Sequence, residues 1–367
     1  MKTVCQINEC TACAACKNSC PVNAIKICDS LQNYNAYINQ DLCINCGLCM
    51  KVCQKVKKPN LIDPIIWRQG WNNNADARAL AASGGMISSI ATAFKKNEGF
   101  VYLCKFIDGE FIFCEMKNTN VMKEFAGSKY VKSDCSNVYK EIELLLKKNN
   151  KVLFVGLPCQ VAGLRLYLGN ELEKKLYTID LICHGTPSVK LLEEYLIENK
   201  IVLSEAKSIT FRKNTDFNLY IDNKKIDCRA QRDTYSNLFL NGKIYTDNCY
   251  KCDFATIKRV SDITVGDSWG SMLDKKQVLN GISLVLCQTG KGKKLLDMAN
   301  ISLYDVDLEH AILCNHQLEK PMKMPKRRTL FFKLNKKMRF DMASILCFPI
   351  PCIKQYIRGL LHHMGIG

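Results

Sequence analysis

Hydrophobic and polar positions follow two different periods along the middle of the chain. Apolar residues at helical spacing follow Ser83, which predicts a helix over roughly residues 84–97 with Ser83 as its N-cap. The apolar runs "FVYLCKF" and "FIFCEM" flank "IDGE" and predict a β-hairpin. The next segment, "YKEIELLLKKN", has the spacing of an amphipathic helix. Helical and strand patterns therefore alternate in this region.

Two strand–turn–helix units follow one another directly. The segment "KVLFVGLPCQVAGLRLYL" begins as a buried strand and turns into a helix at Cys159, and "LYTIDLICHGTPSVKLLEEYLIEN" repeats the plan with Cys183 and His184 at the turn. This alternation predicts a parallel or mixed α/β sheet. If the two strands are neighbours, both thiols lie at the carboxyl edge of the sheet, where open α/β sheets bind ligands.

Two basic segments flank this α/β region. The first, "QKVKKPNLIDPIIW", contains prolines and predicts a linker ending near Trp67. The second runs from Lys320 to Arg339 without a single acid, and the apolar stretch after it is interrupted by Pro349 and Pro351, which excludes a bilayer span. Two interpretations of this end remain open: a closing helix with a solvated basic face, or a segment that binds anionic lipid.

Eight cysteines near the N-terminus form two runs of the pattern C-x2-C-x2-C-x3-C. This is the bacterial ferredoxin pattern, in which the fourth cysteine of each run ligates the other cluster. The predicted ligands of one [4Fe–4S] cluster are Cys10, Cys13, Cys16 and Cys53. Those of the other are Cys43, Cys46, Cys49 and Cys20. Structural zinc and disulfides are the alternatives, but zinc sites more often use pairs of C-x2-C than triplets plus one.

The residue after each fourth cysteine differs between the two runs. Pro21 follows Cys20 as the ferredoxin pattern expects, whereas Gln54 follows Cys53. We expect this difference to loosen the second turn without removing a ligand.

Composition changes the picture mainly through the cysteines. The chain has 367 residues, 22 of them cysteine, and 47% hydrophobic residues. No secretory pattern precedes Cys5, so we expect a cytoplasmic protein with reduced thiols. The formal charge of +17 suggests nucleic acid or membrane, but no nucleic-acid-binding motif accompanies it and cluster thiolates would offset part of it, so we expect no nucleic-acid partner.

A second cysteine set lies in the body. Cys249 and Cys252 form a C-x2-C pair that needs two further ligands, and Cys159 and Cys183 are available at the sheet edge. From spacing alone, a metal centre, buried small residues, and a nucleophilic Cys159 with His184 as its base all remain open. The remaining cysteines are interpreted as ordinary core or surface residues: 5, 28, 104, 114, 135, 228, 287, 314, 347 and 352.

At "GLPCQVAGLR", "DLICHGTPS" and "CDFATIKRVSDITVGDSWG" the chain resembles the family of coenzyme F420 hydrogenase/dehydrogenase beta subunits, in the branch with an N-terminal ferredoxin domain. The resemblance implies an iron–sulfur flavoprotein with a third [4Fe–4S] cluster on the four body cysteines and a bound FAD. It also implies flavin contacts at Ser83, Gly84, Gly85, Lys129, Tyr130, Gly156, Pro158 and Gln160. A capped helix at Ser83, and solvated side chains at Lys129 and Tyr130, are the alternatives.

The resulting fold class is an N-terminal bacterial-type ferredoxin domain followed by a mixed-sheet α/β body that binds flavin and cluster. The expected boundaries are 1–58 for the two-cluster ferredoxin domain, 59–66 for the linker, 67–150 and 151–315 for the two parts of the body, and 316–367 for a basic amphipathic tail.

The expected function is an oxidoreductase that passes electrons between a ferredoxin-type donor, the clusters and FAD, and on to F420 or another two-electron acceptor. A non-catalytic electron-transfer subunit that docks a hydrogenase, a dehydrogenase or a polysaccharide-biosynthesis enzyme is one alternative, and a Cys159/His184 hydrolase or transferase is another. The expected partners are a redox protein and a small-molecule acceptor, with peripheral membrane contact if the tail binds lipid.

Overall fold

The fold is described from a computed structural model that covers residues 2–213, 215–226 and 230–363, without the side chains of the last two residues. Cys228, predicted to be an ordinary residue, lies outside the described residues. The N-terminal domain contains β1 (Lys2–Thr3), α1 (Ala15–Ser19), β2 (Ile25–Asp29), β3 (Tyr34–Ile38) and α2 (Leu48–Lys51). Its antiparallel sheet has the order β1-β3-β2.

The two cysteine loops of this domain share one backbone conformation. Ala12 and Ala14 in the first loop have φ values of 53° and 63°, and the matching Asn45 and Gly47 in the second have 55° and 72°. Left-handed residues at alternate positions curl each loop tightly, and a short helix begins directly after each. The repeated sequence pattern is therefore a repeated structure.

The body is built from the elements that follow. Its first part contains β4 (Ile66–Asn72), α3 (Ala75–Ala79), α4 (Met86–Lys96), β5 (Phe100–Ile107), β6 (Glu110–Glu115), α5 (Met122–Phe125), α6 (Tyr139–Lys147), β7 (Val152–Gly156), α7 (Pro158–Leu172), β8 (Leu176–Leu181) and α8 (Val189–Glu198). Its second part contains β9 (Ile209–Thr210), β10 (Tyr220–Ile221), β11 (Lys224–Lys225), α9 (Thr234–Leu240), β12 (Ile263–Asp267), α10 (Lys275–Leu279), β13 (Ser283–Cys287), α11 (Gly290–Met298), β14 (Ile301–Tyr304) and α12 (Leu308–Cys314). The chain ends in α13 (Arg328–Asn335), α14 (Phe340–Cys347) and α15 (Pro349–His363).

The predicted mixed sheet is confirmed. Its eight strands have the order β14-β4-β13-β12-β8-β7-β5-β6, with β5, β7, β8 and β12 parallel and the outer strands antiparallel. The predicted hairpin is β5–β6, and β7 and β8 are parallel neighbours with Val155 opposite Ile179. The turns that carry Cys159 and Cys183 therefore lie at the same edge of the sheet.

The helix predicted after Ser83 begins later than expected. It is α4, and Gly85 at φ 74° precedes it without a side-chain cap. The Ser83 hydroxyl instead donates to the carbonyl of Ile282, 2.8 Å away. The N-cap role predicted for Ser83 is wrong, because its side chain bonds to the backbone just before strand β13 rather than to its own helix.

The C-terminal segment predicted as a basic tail is packed onto the body. Phe331, Phe332 and Phe340 are fully buried in the largest core cluster. Arg328, predicted within a solvated basic run, is 1% exposed and donates to the carbonyls of Tyr245 and Gln32. This guanidinium joins the tail, the body and the ferredoxin domain. Among the described residues, no helix is both long and apolar enough to cross a bilayer.

Candidate functional site: a row of cysteine-lined cavities beside a larger pocket

The first ferredoxin ligand set lines one small cavity. Cys10, Cys13, Cys16 and Cys53 all contribute to its wall and are each less than a tenth exposed. We call this space the inner cavity. Cys53 arrives from the second cysteine run, so the predicted exchange of fourth cysteines brings this set together.

A fifth thiol lines the inner cavity, and the sequence interpretation missed it. Cys5 also forms part of the wall, together with Cys10 and Cys53. Its interpretation as an ordinary core or surface residue therefore did not foresee this position. Cys5 does not continue the C-x2-C spacing of the run that begins at Cys10. It lies just after β1, beside the first cysteine loop.

The second ferredoxin ligand set lines a separate cavity, the outer cavity. Cys20, Cys43, Cys46 and Cys49 contribute to it, together with Gly47. Cys46 is exposed and the other three are half-buried. The two cavities thus use the predicted sets but differ in access to solvent.

The four body cysteines line a third cavity, the body cavity. Cys159 lies at the start of α7, Cys183 follows β8, and Cys249 and Cys252 come from the turn before β12. The adjacency of β7 and β8 brings the first two together, and the loop from the second half of the chain brings the C-x2-C pair to them. The sequence-predicted set is therefore one group in space.

Lys132 is a buried cation in the wall of the body cavity. It is 5% exposed, and its Nζ lies 3.1 Å from the Sγ of Cys159. Burial alone would lower the pKa of Lys132, but the neighbouring thiolates of Cys159 and Cys249 outweigh it and hold the pKa above its usual range. Burial also raises the pKa of Cys252 to about 12. A compensating positive charge is therefore needed for these thiols to ionise, and Lys132 supplies one.

The wall chemistry of all three cavities fits a cubane cluster. Each offers at least four thiols from a concave wall, and the described residues contain no group of three His, Cys, Asp or Glu that could hold a single metal ion. A [4Fe–4S] cluster is held by four cysteine thiolates around its faces rather than by convergence on one point. Ligation itself stays a prediction from the sequence.

The inner and body cavities are adjacent. Thr11 and Lys55 line both of them. Gln54, 2% exposed, donates its amide to Thr11 Oγ1 at 3.1 Å and to the carbonyl of Cys159 at 2.6 Å. Gln54, the residue that departs from the ferredoxin pattern, therefore links the walls of the two cavities. The expected loosening of the second turn is not the only consequence of this departure.

A fourth, larger cavity of about 450 Å³ adjoins the body cavity. Leu157, Cys183, His184, Gly185 and Thr186 line both. The loops after β8 and β12, the region before α4, and residues 125–130 enclose the rest. We call this space the large pocket. It is mostly apolar with a few polar groups, as ligand pockets commonly are.

Four of the eight predicted flavin contacts line the large pocket: Ser83, Gly85, Lys129 and Tyr130. Tyr130 is stacked on Phe239 with ring centroids 4.2 Å apart, so its ring is a fixed wall rather than a solvated side chain. The ammonium of Lys129 donates to the carbonyls of Phe125, Ala126 and Gly127 at 2.7–3.1 Å. Lys129 thus holds the pocket loop and is not solvated.

The other four do not line the large pocket. Gly84 packs against the sheet, where an added Cβ would lie 2.4 Å from the carbonyl oxygen of Gly70. Pro158 lines the body cavity instead. Gln160 is fully buried, where its side chain accepts from the amide of Leu157 and donates to Ser133. Gly156 precedes this turn inside β7. Gly156, Pro158 and Gln160 belong to the β7–α7 turn, and the flavin contact of all four residues stays a prediction.

Arg232 is a pocket residue that sequence reasoning missed. It lines the large pocket, its buried Nε has no hydrogen-bond partner among the residues that the structure describes, and its guanidinium lies 5.6 Å from the Phe217 ring centroid. Burial lowers its pKa. No local motif surrounds Arg232, so only the folded structure associates it with the pocket.

The hydrolase alternative requires Cys159 and His184 to act on one another. The partner of the Cys159 thiol is Lys132, whereas His184 Nδ1 accepts from the amide of Gln317 at 2.6 Å. Burial, with His316 nearby, lowers the pKa of His184 to about 4. The arrangement lacks the nucleophile–base hydrogen bond that this chemistry needs.

Cysteine-lined cavities in a row within a ferredoxin-type domain and a mixed-sheet body define an iron–sulfur electron-transfer protein. Residues 149–306 match the family model for the C terminus of the beta subunit of coenzyme F420 hydrogenase/dehydrogenase, and residues 36–55 match the 4Fe-4S binding domain. The resemblance of the chain to this family, joined to an N-terminal ferredoxin-type domain, is thereby confirmed.

Two relatives extend the same relationship. The chain is 23% identical over 297 residues to the F subunit of the F(420)H(2) dehydrogenase of Methanosarcina mazei, covering 75% of this chain and 81% of the relative. A chain of the F420-reducing [NiFe] hydrogenase complex from Methanosarcina barkeri has the same fold, with a TM-score of 0.51 at 15% identity over 76% of this chain and 95% of the other.

Proposed function

We propose that the protein is an iron–sulfur flavoprotein reductase in which electrons pass from the outer cavity through the inner and body cavities to a flavin in the large pocket. The observation that carries the proposal is the adjacency of the inner cavity, the body cavity and the large pocket. Thr11 and Lys55 are common to the inner and body cavities, and Cys183 and His184 are common to the body cavity and the large pocket.

The outer cavity is the proposed entrance. It is the most exposed of the cysteine sets, and the apolar side chains of Leu42, Ile44, Leu48 and Met50 beside it are exposed as well. An apolar surface around an exposed redox site suits a transient protein partner. This arrangement supports a ferredoxin-type donor, or a hydrogenase or dehydrogenase subunit, as the redox partner.

The large pocket has the chemistry that a flavin dinucleotide requires. Tyr130, Phe217 and Trp269 supply aromatic walls, and Arg232 supplies a donor. The unpartnered Nε of Arg232 is suited to a phosphate or a ring carbonyl. A bound flavin supplies the exchange between one-electron clusters and a two-electron acceptor. The residues of the chain hold it beside the body cavity and exclude water.

His184 has a defined protonation state at the boundary between the body cavity and the large pocket. Because Gln317 donates to Nδ1 and burial depresses the pKa, the ring is neutral and carries its proton on Nε2. We infer that His184 offers a neutral donor there. The acceptor is F420 or another two-electron molecule, by analogy with the relatives named above.

Anaerobic purification with iron and flavin counted per chain tests the proposal. We expect about twelve iron atoms, for three clusters, and one flavin. Arg232→Met should lower the flavin content and leave iron unchanged, whereas Arg68→Met, an exposed guanidinium outside the pocket, should change neither.

The non-catalytic subunit is the competing function. It requires about twelve iron atoms without flavin. That result would remove the reductase proposal and retain the electron-transfer one.

A peripheral position at the inner face of the membrane also stays a prediction, and its structural support lies in the C-terminal helices.

A further inference from the structure

The outward surface of the last two helices is apolar. Its exposed side chains, which we call the apolar ridge, are Met342, Ile345, Leu346, Ile350, Ile353, Ile357, Leu360 and Leu361. Within each helix they recur at a spacing of three or four residues, so α14 and α15 each present an apolar stripe to solvent. An ordinary surface helix places polar residues on this side.

The inward surface of the same helices packs against the body. Ala343, Cys347 and Cys352 are buried in the core of the body. A Cβ added at Gly359 would lie about 3 Å from the backbone of Ala230 and Gln231, so α15 is packed too closely to rotate the ridge inward. The apolar ridge is therefore a second apolar surface of these helices.

Basic side chains accompany the ridge. Residues 320–361 contain eleven Lys and Arg and one acid, Asp341. Exposed examples are Lys326, Lys333, Lys336, Lys337 and Arg339 before the ridge, and Lys354 and Arg358 within it. Such a combination of apolar and cationic side chains is complementary to a surface with an apolar interior and an anionic border.

We propose that the apolar ridge and its basic residues bind the surface of an anionic membrane, with α14 and α15 lying in the interface. The length of α15, 15 residues, corresponds to about 22 Å, which suits a helix lying on a bilayer. Tyr356 is exposed on the same helix and suits the headgroup level. Lysine is depleted in protein–protein interfaces, so the many lysines favour lipid over a protein partner.

Vesicle co-sedimentation of the full-length, cluster-loaded protein tests this proposal. We expect it to sediment with vesicles containing phosphatidylglycerol, to sediment weakly with phosphatidylcholine alone, and to lose binding as salt rises. An intact protein that stays in the supernatant with both vesicles overturns the proposal.

Two pairs of substitutions test the two parts of the surface. Ile353→Asp with Ile357→Asp should weaken binding about tenfold or more, because the ridge no longer enters the interface. Lys336→Glu with Lys337→Glu should weaken it about tenfold or more through charge. The matched controls are Leu144→Asp with Ile197→Asp, exposed apolar residues elsewhere, and Lys275→Glu with Lys276→Glu, an exposed pair on α10.

Controls that lose as much binding as the ridge variants overturn the proposal. So does binding lost only in the lysine variant, because the ridge would then have no part in it. Iron and flavin content should be unchanged in every variant, which separates a failure here from a failure of the proposed redox function. Self-association abolished by the ridge substitutions, with no vesicle binding, would assign the surface to a protein partner instead.

Discussion

The two ferredoxin loops have the same cysteine spacing and the same left-handed positions, yet they lie in different environments. The inner cavity is closed by the body, and an added Cβ at Gly163 of α7 would lie 2.8 Å from the Sγ of Cys13. The Cys13 carbonyl also accepts from the Tyr139 hydroxyl at 2.7 Å. The outer cavity has an exposed cysteine, Cys46.

Because of this difference, we expect the two cysteine loops to have different roles although their spacing is the same. The first cysteine loop, which lines the inner cavity, is part of the interface between the domains, so its geometry is coupled to the stability of the body. The second cysteine loop, which lines the outer cavity, is accessible to solvent, so a cluster there can receive electrons from another protein. The duplicated motif is asymmetric because α1, which follows the first loop, packs against α6 and α7.

The largest effect expected from this asymmetry is on cluster content and stability together. Cys13→Ser should remove about four iron atoms and also lower the thermal midpoint, because the inner cavity is part of the domain interface. Cys46→Ser should remove a similar amount of iron with little change in the midpoint. Iron analysis and anaerobic thermal unfolding measure both. Equal losses of stability in the two variants would contradict the comparison.

A smaller effect is expected at Lys132, the buried cation in the wall of the body cavity. Lys132→Met should cost about 3–5 kcal/mol of stability, because it leaves buried thiolate charge uncompensated. It should also shift the reduction potential of the body cluster downward while leaving the outer cluster unchanged, as seen by EPR-monitored redox titration.

Lys132→Arg is the matched control, since it keeps the charge and should restore most of the potential. A body-cluster potential that is the same in Lys132→Met and the unmodified protein would show that the ammonium does not act on the cluster.

The smallest effect is expected where the two cysteine runs differ in sequence. Gln54→Pro, which restores the ferredoxin pattern, should cost about 1–2 kcal/mol, because the hydrogen bonds to Thr11 and to the Cys159 carbonyl are lost. Pro21→Gln, the reciprocal change at an exposed position, should cost less than about 1 kcal/mol. Anaerobic urea unfolding measures the free energy of unfolding of both variants. A loss of stability in Pro21→Gln as large as that in Gln54→Pro would contradict the bridging role of Gln54.

Elements with strong local patterns were predictable. The β5–β6 hairpin, the β7–α7 and β8–α8 units and the two ferredoxin cysteine sets follow from periodicity and spacing, since each depends on neighbours in sequence or on a stereotyped loop. Spacing alone left the body cysteine set open, and the resemblance to the family implied it. The placement of β4 between β13 and β14 was not predictable, because strand pairing across two hundred residues leaves no local signal. The domain boundaries stay a prediction.

The candidate site divides in the same way. Cys5, Lys132 and Arg232 carry no motif, and each takes its position from a distant element. Ser83 was misassigned because its hydroxyl has two alternative partners, the helix amides and the Ile282 carbonyl, and the packing of β13 selects the second.

The sequence by itself determined the two cysteine runs with ferredoxin spacing and the alternation of strands and helices in the body, and it predicts cluster ligation by the twelve thiols. The tertiary structure alone decided the order of the cavities, the closure of one ferredoxin loop and the exposure of the other, and the outward apolar ridge. The physical reason is that ligand spacing is a local property of the backbone, whereas burial and adjacency arise only when elements far apart in the chain pack together.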